Sequence, residues 1–493
     1  MYNLTRIFVI ILLISANIMT ACGNSTSEIT LDDVILIANH RRENITPPSR
    51  DRLYELIQNQ EPLSEPVDLA KFIERNAPPV FLSSEEVIYD TQVLFGLLRD
   101  IYGAYEYFGG DEVFIPILNE IIDSLAEREQ WPAPIFAQLV AEYLSQAIAD
   151  NHFRLGDIIL GANSHFFIWE EAFDKTDRGF RHKESGRYVR EVVGFDIDDV
   201  FRLSMDEEGI FFYMPIIAQD SLGQGASLLT LHIIFEDGSE EERNLLNRGW
   251  SWINYEKSSL RFEEDIPIVV IRGMGRPDVA EYWVANTNLN QSARDFLSFT
   301  ELLQDEPVVI IDIRSNFGGN PLLAAVWLYQ LTGEIVPQNL VGLERIDNRI
   351  WPQEWDEILY INEEDLIRHA VYEMLGYYHV ISYARQEGVV PNEQLLIFLV
   401  DRYTASAGDS FVDLALSLEN TLIVGQNTSG MLIASGTVEA IFLPNSGIPL
   451  KFGSTLFLHP EGNFAEGLGI APDVWVVGDA LTATLAMLEN YCR

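Results

Sequence analysis

Leu395-Leu396-Ile397-Phe398-Leu399-Val400-Asp401-Arg402-Tyr403-Thr404-Ala405-Ser406-Ala407-Gly408-Asp409 is the stretch around which the other 478 of the 493 residues can be placed. Its first six residues form an unbroken apolar run with the length and flanks of a strand buried on both faces. Beyond it, Phe411, Val412, Leu414, Ala415 and Leu418 recur at helical spacing. Ser406 therefore belongs to a sharp strand-to-helix junction. A hydroxyl there sits by the unpaired N–H groups of a first helical turn, which suits a nucleophile and a developing oxyanion. The same residues also suit a plain helix cap, with Thr404 or Ser406 as acceptor. On this stretch alone both readings stand.

Working outward, the flanking sequence keeps an α/β rhythm. Ile266 to Ile271 and Val308 to Arg314 read as buried strands, and Arg294 to Leu303 as a helix between them. Ser315-Asn316-Phe317-Gly318-Gly319-Asn320 follows, then a helix carrying Leu322, Leu323, Ala325, Val326 and Leu328. The paired glycines let backbone approach a ligand closely, as phosphate loops, oxyanion loops and tight turns all do. No lysine-bearing phosphate loop follows, which disfavours a nucleotide. Thr421 to Gly425 reads as another strand. Residues 334–392, acidic and aromatic with Trp351, Trp355, Tyr360, Tyr377 and Tyr378, read as a partly helical insertion over this core.

The N-terminal half differs. Ser83 and Glu86 form a capping-box pair ahead of Val87, Leu94, Leu98, Ile101 and Tyr105, a helix expected to end at Gly109-Gly110. A further helix is expected to bury Ile135, Leu139, Tyr143 and Ala147 and to end in Ala149-Asp150-Asn151-His152. Residues 161–264 read as β-rich, with Leu229 to Phe235 leading into the turn Glu236-Asp237-Gly238.

Bulk properties narrow the function. Lys and Arg number 32 against 75 Asp and Glu, a net charge of −43 that argues against nucleic acid. Arg6, the apolar Ile7 to Ile14 and the small residues before Cys22 read as a signal segment of lipoprotein type. Cys22 is then the lipidated residue, and the only other cysteine is Cys492. The histidines and cysteines show no metal-ligand spacing, so no metal and no cofactor are expected.

Taken together, the core segments resemble the C-terminal-processing and tricorn-type core peptidases. A strand ending Asp-x-Arg-x-Asn-x-Gly-Gly is matched by Asp312, Arg314, Asn316, Gly318 and Gly319. Thr/Ser-Ala-Ser-Ala before a helix is matched by Thr404 to Ala407, and Glu-Gly-x-Gly-Val-x-Pro-Asp by Glu466 to Asp473, with isoleucine for valine. The resemblance implies Ser406 as nucleophile, with an oxyanion hole from the N–H of Ala407 and of Gly318 or Gly319. In the processing-peptidase branch a lysine takes the serine proton, but Met431 stands at that position here and cannot accept one. The tricorn branch uses a histidine supported through a polar neighbour by a late glutamate. His152, Asn151 and Glu466 match these, and His165 after Ser164 is the competitor.

The expected architecture is α/β, with a Clp protease/crotonase-like spiral core of β-β-α units. Its expected segments are a signal peptide (1–21), a tether (22–45), a helical domain (46–160), a β-rich domain (161–264) and a peptidase core (265–480). The function implied is an extracytoplasmic serine endopeptidase, held to the bacterial membrane only by its lipid, acting on proteins or peptides. The alternative is a peptide-binding lipoprotein that kept this scaffold and lost catalysis.

Overall fold

The computed structural model describes residues 29–57, 79–221, 228–247, 258–274, 291–345, 370–375, 378–383, 389–437, 441–460 and 464–491. The signal segment, Cys22 and Cys492 lie outside the described residues.

Helix α1 (Leu31–Glu43) opens on a Thr30/Asp33 capping box. The helical region follows as α2 (Ser84–Ile101), α3 (Gly110–Ala126) and α4 (Ala133–Leu144). The β-rich segment contributes β1 (Phe201–Met205) and β2 (Phe211–Ser221). The core then runs β3 (Ser259–Glu263), β4 (Ile266–Val270), β5 (Val308–Asp312), α5 (Leu322–Thr332), β6 (Leu395–Val400) and α6 (Ala407–Ala415). It closes with β7 (Thr421–Gly425), β8 (Val474–Trp475) and α7 (Ala480–Tyr491).

One mixed sheet organises the molecule, in the order β3-β4-β5-β6-β7-β8-β1-β2, extended beyond β2 by further strands of the β-rich segment. β3 pairs antiparallel with β4, β4 through β8 run parallel to one another, and β1 joins them parallel to β8. Alternate side chains serve two cores. Val269, Ile311, Phe398 and Ile423 pack with α5 and α6 on one face. Ile268, Ile310, Ile397 and Leu422 pack with α1 and α7 on the other. Helices on both faces explain why the strands are apolar without interruption. They also hold the ends of β5 and β6 next to each other, where the motif loops emerge.

The structure departs from expectation in five places. α2 stops at Ile101, and Gly109, at φ 105°, is the cap of the next helix. α4 buries Ala133, Phe136, Val140 and Leu144, leaving Ile135 49% exposed, and it ends at Leu144, well before His152. Residues 31–43 of the expected tether are helical. Arg41 and the buried Arg42 both bond Asp473 at 3.1 and 2.7 Å, which fastens this helix to the core. The described parts of 334–392 include strands Val341–Arg345, Ala370–Leu375 and Tyr378–Tyr383, while 346–369, with Trp351, Trp355 and Tyr360, and Tyr377 lie outside the described residues. Finally, the β-rich segment has its own sheet at 189–246 but also shares the core sheet through β1 and β2. The helical region packs on residues 441–458, so its core includes Leu443, Leu450 and Phe452.

Candidate active site

β6 ends at Val400, and the chain turns through Asp401 to Ser406 before α6 begins. Ser406 caps α6 with φ 55° and ψ −115°, a conformation costly for a residue with a Cβ. Several contacts hold it there. Ala405 N–H donates to Asn316 O at 2.8 Å, and Thr404 Oγ1 donates to Ile313 O at 3.0 Å. Ser406 N–H donates to Asp409 Oδ2 at 2.7 Å. Gly318, at φ 101°, lies so close that an added Cβ would sit 2.7 Å from Ser406 Cβ, so only glycine fits.

Across this turn stands a side chain from 254 positions earlier. His152 Nε2 lies 3.1 Å from Ser406 Oγ. The histidine follows α4 in a short loop, with its N–H donating to Asp150 Oδ1 at 2.8 Å. The other oxygen of Asp150 accepts from the Tyr102 hydroxyl at 2.8 Å, at the end of α2. The helical region thus supplies the imidazole and its footing. His165 is elsewhere engaged, with Nδ1 2.5 Å from Asn247 Nδ2. Lys451 sits on strand Pro449–Lys451, which pairs with Arg154–Leu155, and among the described residues no lysine bonds Ser406.

Glu466 approaches from the last motif loop. Its Oε1 accepts from Asn151 N–H at 2.8 Å, and Oε2 accepts from Leu432 and Ile433 N–H at 3.1 and 2.9 Å. The expected relay through the Asn151 side chain is therefore corrected: the bond uses the Asn151 main chain. Its carboxamide turns instead towards Gly430 O, at 3.5 Å. Gly161 makes room for it, since a Cβ there would stand 1.8 Å from Asn151 Oδ1.

The oxyanion expectation is refined in the same way. Gly318 N–H already donates to Asn316 Oδ1 at 2.9 Å. Among the described residues, the N–H groups of Gly319 and Ala407 have no acceptor.

Asp409, which in sequence reads only as a negative charge in the first turn of a helix, does more in the fold. It is fully buried, and besides Ser406 it accepts from Gly430 N–H at 3.2 Å and Met431 N–H at 3.1 Å. One carboxyl thus joins the serine turn to the loop that carries Met431. Burial raises Asp409 to about 6, against the pull of Thr428 and the N–H groups of Met431, Gly430 and Ser406. Arg402 ties the same turn to the Glu466 loop by donating to Thr428, Gly467 and Leu468 carbonyls. Desolvation brings it down to about 10. At the end of β5, burial would raise Asp312, but Arg314 and Arg272 bond it and hold it at about 2.

Two buried carboxyls stand behind His152. Burial pushes Asp150 up to about 7, opposed by the bonds from His152, Tyr102 and Phe153. Glu466 is raised as well, first by burial and then by the charge of Asp150. Two such groups close together do not both ionise readily. The folded protein therefore holds a proton on this pair that the unfolded chain releases near an ordinary aspartate value of about 4. Stability from this source is full below that value and is lost as pH rises towards 7. Asp150→Asn keeps an acceptor for His152 N–H and should flatten the fall in unfolding free energy between pH 4 and 7. Urea denaturation across that range is the check, and an unaltered slope would count against the shared proton.

Phe317 completes the visible surroundings. It is 49% exposed beside the Gly318 turn, its ring 5.8 Å from that of Tyr403. Together the two rings form an aromatic ledge on the loops that carry Gly318 and Ser406.

Comparison with known proteins agrees with the motif reading. Residues 268–476 match the family model described as Peptidase family S41. Mature CPAF complexed with lactacystin is 15% identical, with 83% of this chain and 97% of that one covered at a TM-score of 0.40. The photosystem II D1 C-terminal processing protease is 12% identical, with 79% and 92% covered at 0.35. A lipoprotein from Streptococcus agalactiae is 13% identical, with 85% and 99% covered at 0.39.

Proposed function

We propose, from the match of residues 268–476 to the model described as Peptidase family S41, that the protein is an extracytoplasmic serine endopeptidase working through Ser406 and His152. The observation that carries this is the 3.1 Å approach of His152 Nε2 to Ser406 Oγ, joining two segments that have no reason of sequence proximity to meet.

In this mechanism, Ser406 Oγ attacks the scissile carbonyl while His152 Nε2 takes its proton. The tetrahedral oxyanion is held by the N–H groups of Ala407 and Gly319. His152 returns its proton to the leaving amine, and the C–N bond breaks to give an acyl-enzyme. Water, deprotonated by the same imidazole, then releases the carboxylic acid and restores Ser406. While His152 is charged, the Asp150–Glu466 pair provides the compensating negative charge, with Asp150 also fixing the His152 main chain. Glu466 acts as a positioning residue that locks Asn151 to the Leu432–Ile433 segment. The Phe317–Tyr403 ledge would receive an apolar side chain flanking the scissile bond. Anchoring through Cys22 rests on the signal-like segment before it.

Met431, at the position where the processing branch carries lysine, motivates a second reading, a peptide-binding protein without catalysis. Incubation with an unstructured polypeptide separates the two. New amino termini should accumulate with turnover; a polypeptide that co-elutes uncleaved would favour the binder.

A further inference from the structure

A second concavity has neither Ser406 nor His152 in its lining. It has a volume of about 550 Å³ and runs between α1, strands β1 and β2, and the 464–475 segment. That is ample for a small organic ligand. Its apolar wall includes Phe166, Phe201, Ile216, Leu468 and Trp475. The charged residues lining it are Arg41, Lys175, Arg202 and Asp473.

Three cations against one anion is the reverse of a chain whose net charge is −43. Asp473 is already shared between Arg41 and the buried Arg42, so it leaves a cation uncompensated. Lys175 is paired with Asp198 at 2.9 Å. The exposed side chain of Arg202 has no hydrogen-bond or ion-pair partner among the described residues, while its carbonyl accepts from Ser204 Oγ at 3.0 Å. Desolvation and then the nearby charge of Arg41 lower its pKa, with Asp199 acting the other way. Two arginines lining one apolar cavity suit an anion carried on an apolar body.

We propose that this cavity binds a small amphiphilic carboxylate, its head group on Arg202 and its hydrocarbon part against Phe166, Ile216 and Trp475. The site is read by binding alone. Calorimetric titration of the full chain with dodecanoate, below its micellar concentration, should give saturable one-to-one binding. Dodecyltrimethylammonium, with the same chain and opposite charge, should give none. Arg202→Gln should weaken dodecanoate binding at least tenfold, and Ala218→Trp, which fills the cavity from β2, should remove it. Equal binding of the cation, an affinity unchanged in both variants, or no saturable dodecanoate binding to the wild type would overturn the proposal. Circular dichroism of each variant keeps a loss of fold from passing as a loss of the site.

Discussion

Ser406→Ala is expected to lower kcat/KM for peptide hydrolysis by about 10⁴- to 10⁶-fold while leaving the protein folded. The loss follows because the Ser406 hydroxyl is the group that stands 3.1 Å from His152 Nε2 at the start of α6. Retention of the fold follows from what the substitution preserves. Alanine keeps the Cβ, so it takes over the strained φ of 55° without added cost, and the bond from residue 406 N–H to Asp409 is a main-chain bond. The measurement is steady-state hydrolysis together with a thermal melt. A variant that melts normally and still cleaves at the wild-type rate would remove Ser406 from the chemistry.

His152→Ala should cost about 10³- to 10⁵-fold in kcat/KM, comparable with the loss of a triad base. Without the imidazole, the hydroxyl must lose its proton to water, and the leaving amine must depart unprotonated. Stability should change little by comparison. The His152 main-chain bond to Asp150 survives, and the side chain stands at a partly buried edge of the site. His165→Ala is the matched control, since that ring contacts Asn247 in the β-rich segment, and its activity should stay near wild type.

The core was readable because its physics is local. Strands covered on both faces announce themselves as unbroken apolar runs, as Val308 to Asp312 and Leu395 to Val400 do. The helical region was harder. Gly109 with Gly110 reads equally as a stop or a start, and Pro116 inside α3 masks that helix. In α4 two apolar faces compete, and packing selects the one with Phe136, Val140 and Leu144. α1 depends on a partner more than 400 residues away, Asp473, which its own polar sequence does not reveal.

At the candidate site, the sequence singled out Ser406, His152 and Glu466, and the fold brings Ser406 against His152 and Glu466 against the neighbouring Asn151 main chain. The roles of Asp150 and Asp409 were not legible, because a carboxyl near a turn looks like a solvated cap until the fold buries it. Nor could the sequence show which atoms meet. Gly318 N–H is taken by Asn316, and Asn151 meets Glu466 through its main chain, both consequences of loop paths set by tertiary packing.

The pairing of Ser406 with His152 is tested most directly by the rate at which a fluorophosphonate modifies the protein, followed by mass spectrometry. The account predicts one adduct per chain, mapped to Ser406, forming at least a hundredfold more slowly in His152→Ala. No adduct on the wild type, or modification of Ser406 at an undiminished rate in the variant, would contradict it.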